Sequence, residues 1–557
     1  MMKSSLLLHF LCHCCAVFAF APRQAAPQHA VCRFSPQFSH DKILHNSTAF
    51  EASIFYWDGQ FHQDSVGYHQ QNGLTIDNTM LGYATGLPQP LSSFGPSPAR
   101  VSNARNEAYH IMLNTLAING SLSASTFIYP ANPSSAAQIA ASILSSKLQT
   151  YLTFNNAYPG YGGFLPDFRS DGTMMEPTHI DQASDSGKLS AADNGLLMWA
   201  VYGLINTLEM SGRPAMQQLR SSWARWFMYA RANAKNIFMR ATIPGDVCAI
   251  ATLKPSFYTD VFGQNYTCER QDCLNNDPFE GELLTWKRPQ LIATNYTGSV
   301  VDGSQTQPGA TDYSHESIKK RHITPITVQK GLHFASNEQI KLLFLPYRDV
   351  EIVSRVYMNA EYVRTCNSVL MGRTPGMFSR TPNATVSSSA PNSSMAIETE
   401  QIQNAGVPSA AVFQEQELDM ITPSSVFPTI LFDRGIGLAW YKNMLDGKQM
   451  QSVYGSLAAT RRDGSAVARE VNWENKAPTL LALLGGIVDI VRDGMKRDNI
   501  YDEFIQVTER EYGDVFESSR NGGAALMGEK VGLCMPNAQV PGQTLNDFST
   551  CASASTT

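Results

Sequence analysis

The stretch from Ala191 to Met210 restricts the fold of this chain more than any other, because its apolar residues surround the whole circumference of a helix. Leu196, Trp199 and Leu204, for example, point to three different sides. A helix that is apolar on all sides is buried on all sides. The rest of the chain must therefore surround it, and two layers of helices around one core are a permitted architecture. We expect a mainly α-helical toroid, with this stretch in the inner ring.

Four other stretches have the spacing of helices with one apolar face, which suits an outer ring. They begin near Pro214, Ser336, Pro478 and Asp498. Pro346 is expected to kink or divide the second stretch, because proline lacks the N–H that a helix interior needs. Residues 32–100 are rich in Ser, Gly and Pro, so we expect short, irregular structure there, with β-leaning pieces such as residues 54–57.

The first residues and the N-x-S/T triplets together predict export. Lys3, the apolar run from Leu6 to Phe20 and the small residues after it are typical of a cleaved secretory signal, here residues 1–26. The run is short for a membrane span, and the alternative is a buried first helix. Six sequons predict N-linked glycans on surface loops: Asn46, Asn119, Asn265, Asn295, Asn383 and Asn392. We expect a secreted, extracellular glycoprotein.

Seven cysteines follow the predicted signal, and most of them should pair in an oxidising compartment. They are Cys32, Cys248, Cys268, Cys273, Cys366, Cys534 and Cys551. Cys248, Cys268 and Cys273 flank one loop-rich region, so we expect at least one disulfide among them. A zinc site is the competing interpretation, but no CxxC or HxxxH pattern lies near these cysteines.

The charges exclude several classes of partner. The formal net charge is −6, and acidic and basic residues are mixed along the chain without a basic stripe. Nucleic acid and anionic membrane surfaces are therefore not expected as partners. A neutral substrate fits the composition best.

Aromatic and glycine residues alternate between positions 158 and 168, in a stretch that cannot form regular structure. Aromatic rings offer flat apolar surfaces to sugar rings, and Tyr158, Tyr161, Phe164 and Asp167 are candidates for sugar contact. The alternative is a tight loop whose aromatic rings fill the core. The start of the apolar helix adds Asp193 and Asn194, of which Asp193 is either a helix-capping residue or a sugar ligand.

Residues 275–286 contain three carboxylates beside aromatic residues, which is the strongest local pattern in the chain. Glycoside hydrolysis needs a protonated carboxyl group at the leaving oxygen and a second carboxylate. Glu280 is the favoured catalytic residue here, Glu282 is an alternate, and Trp286 is a candidate for substrate contact. The alternative is an ordinary helix start, capped by Asp277 with Pro278 behind it.

Residues 453–476 form the second segment of interest. Tyr454 and Trp473 are candidates for substrate contact, and Asp463 and Glu474 are candidates for the second carboxylate. Asp463 precedes a glycine, so an ordinary turn is an equally good interpretation of that pair. A catalytic role requires that Asp463 and Glu280 converge in space, which the sequence does not show.

These blocks together resemble the fungal-type endo-β-1,2-glucanases and, more distantly, bacterial glucoamylase-like proteins of the same clan. The blocks are residues 161–168, 192–197, 279–284, 454–456 and 476–486, and the resemblance extends over residues 45–515. It implies an (α/α)6 barrel, no metal or other cofactor, and an inverting mechanism with a glutamate acid and a later aspartate base. On this resemblance Glu280 is the acid, Asp463 is the base, and Glu474 is the alternate base.

The whole chain is then expected to comprise a signal at residues 1–26, one catalytic domain at 27–515 and a C-terminal extension at 516–557, partly disordered. The expected partner is a β-glucan polysaccharide or oligosaccharide. Two alternatives stay open at this point. One is another toroid enzyme, either an exo-acting glucoamylase-like hydrolase or a polysaccharide lyase. The other is a non-catalytic glycan-binding protein on the same fold.

Overall fold

Helices dominate the structure, a computed structural model that describes residues 31–89, 100–178, 187–238, 248–254, 265–270, 293–296, 326–371, 377–382, 402–516, 532–537 and 545–551. The predicted mainly α-helical class is confirmed. The α-helices of these ranges are α1 His40–His45, α2 Thr48–Gly59, α3 Ala104–Ile118, α4 Leu122–Ile128, α5 Ala136–Ala157, α6 Ala191–Met210, α7 Pro214–Phe238, α8 Glu351–Leu370, α9 Phe427–Phe432, α10 Arg434–Leu445, α11 Trp473–Leu484, α12 Val488–Arg497 and α13 Tyr501–Phe516.

The helix α6 occupies the predicted residues and the predicted environment. It begins after Ser190, whose hydroxyl accepts the N–H of Asp193, and it is packed by α3, α7 and α12. Ala191, Leu196 and Leu197 are completely buried although they lie on three different sides of the helix. The apolar circumference is therefore satisfied by neighbouring helices on several sides, as an inner-ring position requires.

The described helices form two layers. Along the inner layer α6 contacts α3, α3 contacts α11, α11 contacts α9, and α9 contacts α8. On the outside α7 packs on α6, α5 packs on α3, and α10 packs on α9. The outer helix α7 is amphipathic as predicted, with Trp223, Trp226 and Ala230 buried against the inner layer and the arginines of the helix pointing elsewhere.

Two helix predictions need correction. The β-leaning residues 54–57 lie inside α2, where Phe50 and Ile54, four residues apart, both face the core, so tertiary packing overrides the local β preference. The helix predicted to begin at Pro478 begins at Trp473, because Asn472 accepts the N–H of Asn475 at 2.8 Å and caps it there. Pro478 lies in its second turn and removes a single helical hydrogen bond.

The break predicted at Pro346 is confirmed. Pro346 separates a 3₁₀ helix, Ser336–Leu343, from α8. The helix α11 ends at Gly485, which has a φ of 78°, and α12 follows shortly after it. A left-handed residue at the end of a helix is a position that glycine occupies without steric cost.

Short antiparallel strands connect the helix ends. They are β1 Asn78–Met80, β2 Arg100–Ser102, β3 Phe168–Ser170, β4 Met175–Pro177, β5 Lys188–Ser190, β6 Ile250–Lys254, β7 Asn265–Arg270, β8 Ala293–Tyr296, β9 Ile326–Gln329, β10 Arg380–Pro382, β11 Ile402–Asn404, β12 Met420–Ile421, β13 Gln451–Ser452, β14 Gly455–Ser456, β15 Ala459–Arg461, β16 Val467–Ala468 and β17 Glu470–Asn472. They pair as β1–β17, β2–β3–β4, β5–β6–β7, β8–β9, β10–β11, β12–β15–β16 and β13–β14. None of these sheets has more than three strands, so they organise loops and do not form a layer of their own.

Three disulfides tie distant parts of the described chain. Cys248 pairs with Cys268, which confirms the bridge expected in that region. The other pairs are Cys32–Cys551 and Cys366–Cys534. Cys273 lies outside the described residues. The C-terminal extension at 516–557 is expected to be partly disordered, and within it Phe548 is fully buried and Cys551 is bridged, so residues 545–551 pack on the domain.

The helices of the described ranges include none that combines the length and the apolar character needed to cross a membrane.

A buried ion pair joins α2 to α11. Lys476 Nζ lies 2.7 Å from Asp58 Oδ1, and the two side chains are 0% and 2% exposed. Lys476 also donates to the carbonyl of Ser456 at 2.7 Å, and the Ser456 N–H donates to Asp58 Oδ1 at 2.8 Å. Gly455 permits this close approach, since it has a φ of 82° and an added Cβ would lie 2.0 Å from Asp58 Oδ1. The blocks at residues 454–456 and 476–486 are therefore parts of one structural network.

Replacing Lys476 by methionine should strongly destabilise the protein, because it leaves the Asp58 carboxylate buried without its counter-ion. The free energy of unfolding, measured by urea denaturation, should fall by about 3–5 kcal/mol. The matched control is Glu209→Gln, which removes a surface ion pair with Arg220 whose side chains are 32% (Arg220) and 44% (Glu209) exposed. That loss should stay below about 1 kcal/mol. Equal denaturation midpoints for the two variants would contradict the role given to Lys476.

Candidate active site at the rim of the ring

Three inner helices, α3, α6 and α11, begin at the same end of the ring, which we call the rim. Each N-terminus is capped by a polar side chain that accepts a backbone N–H two or three residues into the helix. The capping residues are Asn103, Ser190 and Asn472. The N–H groups at a helix start carry partial positive charge, so the rim favours carboxylates and other oxygen-rich groups.

Asp77 connects the starts of α3 and α11. Its N–H donates to the carbonyl of Val101 at 2.9 Å, and its carboxylate accepts from Asn106 Nδ2 at 2.7 Å. The next residue, Asn78, opens β1 and lies opposite Asn472, the cap of α11. The start of α3 is therefore bonded to the half-buried Asp77 carboxylate, and the start of α11 lies against the next residue of the same segment.

Arg105 and Asp193 connect the starts of α3 and α6. Arg105 Nε lies 2.6 Å from Asp193 Oδ1, and the side chains are 24% and 19% exposed. The N–H of Asp193 is bonded to Ser190, so this residue also takes part in the helix cap. Because the carboxylate is still partly open to solvent, both interpretations of Asp193 agree with its position, and sugar contact stays a prediction.

The aromatic loop after α5 mostly fills the core. Tyr161 and Phe164 are 0% and 1% exposed, and Tyr161 stacks on Phe154 with ring centroids 5.6 Å apart. Neither ring presents a face to a ligand, so the sugar contact predicted for these two residues is corrected to a packing role. Tyr158 is largely buried, with 9% exposure, and Asp167 is exposed, so their contacts with substrate stay predictions.

Asn194 holds this loop to the rim. It is completely buried, its Oδ1 accepts the N–H of Leu165 at 2.8 Å, and its Nδ2 donates to the carbonyl of the same residue at 2.9 Å. The same loop passes close to α7 at Gly163, where φ is 96° and an added Cβ would lie 3.0 Å from Ala230 Cβ. The substrate contact predicted for Asn194 is corrected, because its amide is used inside the protein.

Trp473 is also a core residue and not a contact surface. It is 0% exposed, and its Nε1 donates to the carbonyl of Gly67 at 2.7 Å. Its ring lies between Phe61 and His110, at centroid distances of 5.2 and 4.8 Å. The substrate contact predicted for Trp473 is therefore corrected. Tyr454 is half-buried against the core, and its role in binding stays a prediction.

Asp463 lies at the exposed tip of the β15–β16 hairpin. Its carboxylate accepts the N–H of Ser465 at 2.9 Å, which is the turn chemistry that the following glycine indicates. Hydrogen bonding from Ser465 lowers the pKa of Asp463 below its usual value, so the carboxylate is ionised in mildly acidic solution. The hairpin is followed by β17, which leads directly into α11.

Two further carboxylates follow the hairpin. Glu474 is the second residue of α11 and is half-buried, whereas Glu470 in β17 is 3% exposed and accepts from Asn472 Nδ2 at 3.3 Å. Of the two, only Glu474 is open enough to meet a substrate, so it keeps its place as the alternate base.

Glu280, Glu282 and Trp286 lie outside the described residues. The last described residue before them, Arg270, pairs with Ile250 in the sheet β5–β6–β7, and Ile250 pairs with Ser190, the cap of α6. Arg270 therefore lies close to the start of α6, beside the rim.

Sequence analysis missed Asp77, Arg105 and Asn106, which hold the rim together. One signal was present: Asn103 stands directly before the apolar stretch of α3 and predicts a helix start there. Nothing local to the sequence indicates that Asp77 and Asp193 would meet this particular helix start, because those contacts depend on how the helices pack.

The described part of the rim presents carboxylates, amides and a guanidinium group, and Arg105 and Asp193 form a partly exposed ion pair there. Such groups accept and donate hydrogen bonds in the way that the hydroxyls of a neutral sugar require. Within the described ranges, no His, Cys, Asp and Glu side chains come together as a group of three or more that could hold a metal ion. This arrangement is suited to acid–base chemistry on a carbohydrate.

Comparisons with known proteins agree with this assignment. The sequence model of the endo-beta-1,2-glucanase SGL family matches residues 74–552. No protein of curated function matches the chain. Two solved structures of endo-beta-1,2-glucanase from Talaromyces funiculosus, one with sophorose and one of a glutamate-to-glutamine mutant with beta-1,2-glucan, are each 39% identical to this chain. Each match covers 94% of this chain and 99% of the other, with a TM-score of 0.80.

A more distant likeness shows the fold alone. A Bacteroides caccae protein provisionally described as a glucoamylase is 10% identical over 85% of this chain and 99% of its own, with a TM-score of 0.50. The fold is the (α/α)6 barrel expected from the resemblance, and the protein is a glycoside hydrolase. The chain belongs to the endo-β-1,2-glucanase family.

Proposed function

We propose that this protein is a secreted enzyme that cleaves β-1,2-glucan internally and inverts the configuration at the anomeric carbon. The observation that carries the proposal is the match to the Talaromyces funiculosus enzyme, at 39% identity over 94% of this chain, in structures that contain sophorose and β-1,2-glucan. Such a match over nearly the whole of both chains includes the rim and its surroundings. The substrate is therefore a β-1,2-linked polymer or oligosaccharide of glucose.

Glu280 is proposed as the general acid that protonates the leaving oxygen. The mutant of the Talaromyces funiculosus enzyme that was solved with β-1,2-glucan has a glutamine in place of a glutamate, which is a substitution that removes an acid and keeps its shape. That choice supports a glutamate as the acid in the family. In this chain the acidic block at residues 279–284 supplies it.

Asp463 is proposed as the general base that activates water. A general base must be ionised, and the hydrogen bonds from Ser465 lower the pKa of this carboxyl. Its exposed position at the hairpin tip leaves room for a water molecule between carboxylate and sugar, as inversion requires. In the usual inverting arrangement the two carboxyls lie about 6.5–9.5 Å apart. Glu474 is the alternate base.

We also propose that the protein is secreted and N-glycosylated, on the basis of its first residues, its disulfides and its sequons. Three disulfides in the described residues suit an oxidising compartment. Asn46 and Asn119 are both exposed, as glycan acceptors must be. Asn119 directly follows α3, at the opposite end from the rim, so a glycan there leaves the rim open.

Replacing Glu280 by glutamine, or Asp463 by asparagine, should lower kcat on β-1,2-glucan by about 10²–10⁴-fold, because each removes a proton-transfer group while keeping the side-chain shape. The matched controls are Glu282→Gln and Glu474→Gln, which should keep kcat within a few-fold of wild type. Full activity of the Glu280 variant would contradict the assignment of Glu280 as the general acid. If the Glu474 variant were inactive and the Asp463 variant active, Glu474 and not Asp463 would be the general base.

The wild-type enzyme also has an expected pH profile and stereochemistry. Because the pKa of Asp463 is lowered, the acidic limb of kcat/KM should lie below the usual range of an aspartate, and activity should persist as the pH falls towards it. Proton NMR of the first products should show the α-anomer at the new reducing end. An initial β-anomer would contradict inversion.

Expression in a eukaryotic secretory host should place the protein in the medium without residues 1–26 and with N-linked glycans. Mass spectrometry before and after enzymatic deglycosylation measures both the loss of residues 1–26 and the mass of the glycans. The Asn119→Gln variant should lack one glycan and keep the activity of the wild type. Retention of the first residues in a purely intracellular product would contradict the proposed export.

A further inference from the structure

A groove of about 540 Å³ runs along the solvent side of α5, and we call it the α5 groove. It lies between the C-terminal half of α5, residues 71–72 and the turn that joins β3 to β4. Its volume is within the range of about 300–1,000 Å³ that is usual for small-molecule sites. Asp463 and Glu474 are not part of its lining.

The wall that α5 contributes is a stripe of neutral hydrogen-bonding side chains. Ser145, Gln149 and Thr153 are spaced four residues apart, so they lie one above another on the exposed face of the helix. Gln71 faces them from the other wall. Among the described residues, no internal hydrogen bond engages the side-chain amides of Gln71 and Gln149, so solvent or a ligand must satisfy them.

The rest of the lining favours a ligand that is neutral and partly apolar. Glu176 is the one acidic side chain among the described residues of the lining, and its carboxylate lies 3.2 Å from Arg169 Nε, so its charge is compensated. Met174 is 51% exposed and offers an apolar surface, and Tyr158 lies in the floor. Hydroxyl- and amide-binding groups beside apolar surface match the two sides of a sugar ring, its hydroxyls and its C–H face.

The α5 groove adjoins the rim. The C-terminal end of α5 continues into Tyr158 and the aromatic loop, and Asn194 at the start of α6 bonds that loop through Leu165. A long polymer bound at the rim can therefore extend along α5 without crossing the ring. A short oligosaccharide bound at the rim has no residues left to reach the groove.

We propose that the α5 groove is a second glycan-binding site, which holds a segment of the β-glucan chain outside the segment that is cleaved. The identity of this glycan rests on the proposed function. The site raises the affinity of the protein for the polymer. A short oligosaccharide does not reach the groove and gains nothing from it.

The test compares the double variant Gln71→Ala/Gln149→Ala with Gln138→Ala. Gln138 is an exposed glutamine on the same helix, three turns before Gln149 and outside the groove, so it controls for the chemistry of the substitution. Electrophoresis through gels that contain soluble β-1,2-glucan measures polymer affinity, and kinetics on polymer and on short β-1,2-linked oligosaccharides measure turnover. Ser145→Trp, which fills the groove, serves as a second variant.

We expect the double variant and Ser145→Trp to weaken retardation by the polymer by about five- to tenfold and to raise KM for the polymer similarly. The kcat and KM of both groove variants on short oligosaccharides should equal those of the wild type. Gln138→Ala should behave as wild type in every assay. Retardation of both groove variants equal to wild type would overturn the proposal. A wild-type protein that fails to cleave β-1,2-glucan, while its retardation still depends on the groove, would overturn the proposed function and leave the groove site standing.

Discussion

The meeting of the inner-helix N-termini at one rim is the arrangement on which the rest of this structure depends. It is held by a few polar contacts: the segment of Asp77 and Asn78 joins the starts of α3 and α11, and the Arg105–Asp193 pair joins α3 to α6. The apolar bodies of these helices pack below and make the ring rigid. Because helix starts carry partial positive charge, the rim concentrates carboxylates where the proposed chemistry needs them.

Several residues that look like ligand contacts in the sequence instead pack inside the protein. Tyr161, Phe164 and Trp473 are buried, and the amide of Asn194 is bonded to the loop that contains the first two. Two of the blocks that carry the family resemblance, residues 454–456 and 476–486, meet in the buried Asp58–Lys476 pair. In this chain, then, these two blocks are part of the buried scaffold.

The sequence predicted the parts of the fold that depend on local pattern. The apolar circumference of α6, the apolar face of α7 and the break at Pro346 all follow from spacing and from proline chemistry. It was wrong where packing decides, as in α2, and where a cap outweighs a proline, as at Asn472. Contacts between distant residues, such as Asp77 with Asn106, have no local signal, and whether a ring faces a ligand or the core is decided only when the helices assemble.

Linkage specificity tests the central claim most directly, which is that the rim of this ring cleaves β-1,2-glucan within the chain. Purified protein incubated with linear β-1,2-, β-1,3- and β-1,4-glucans would be followed by the size distribution of the products. The account predicts a rapid fall in polymer length with oligosaccharide products from the β-1,2-linked polymer alone. Release of glucose from an otherwise intact polymer, or cleavage of another linkage in place of this one, would contradict it.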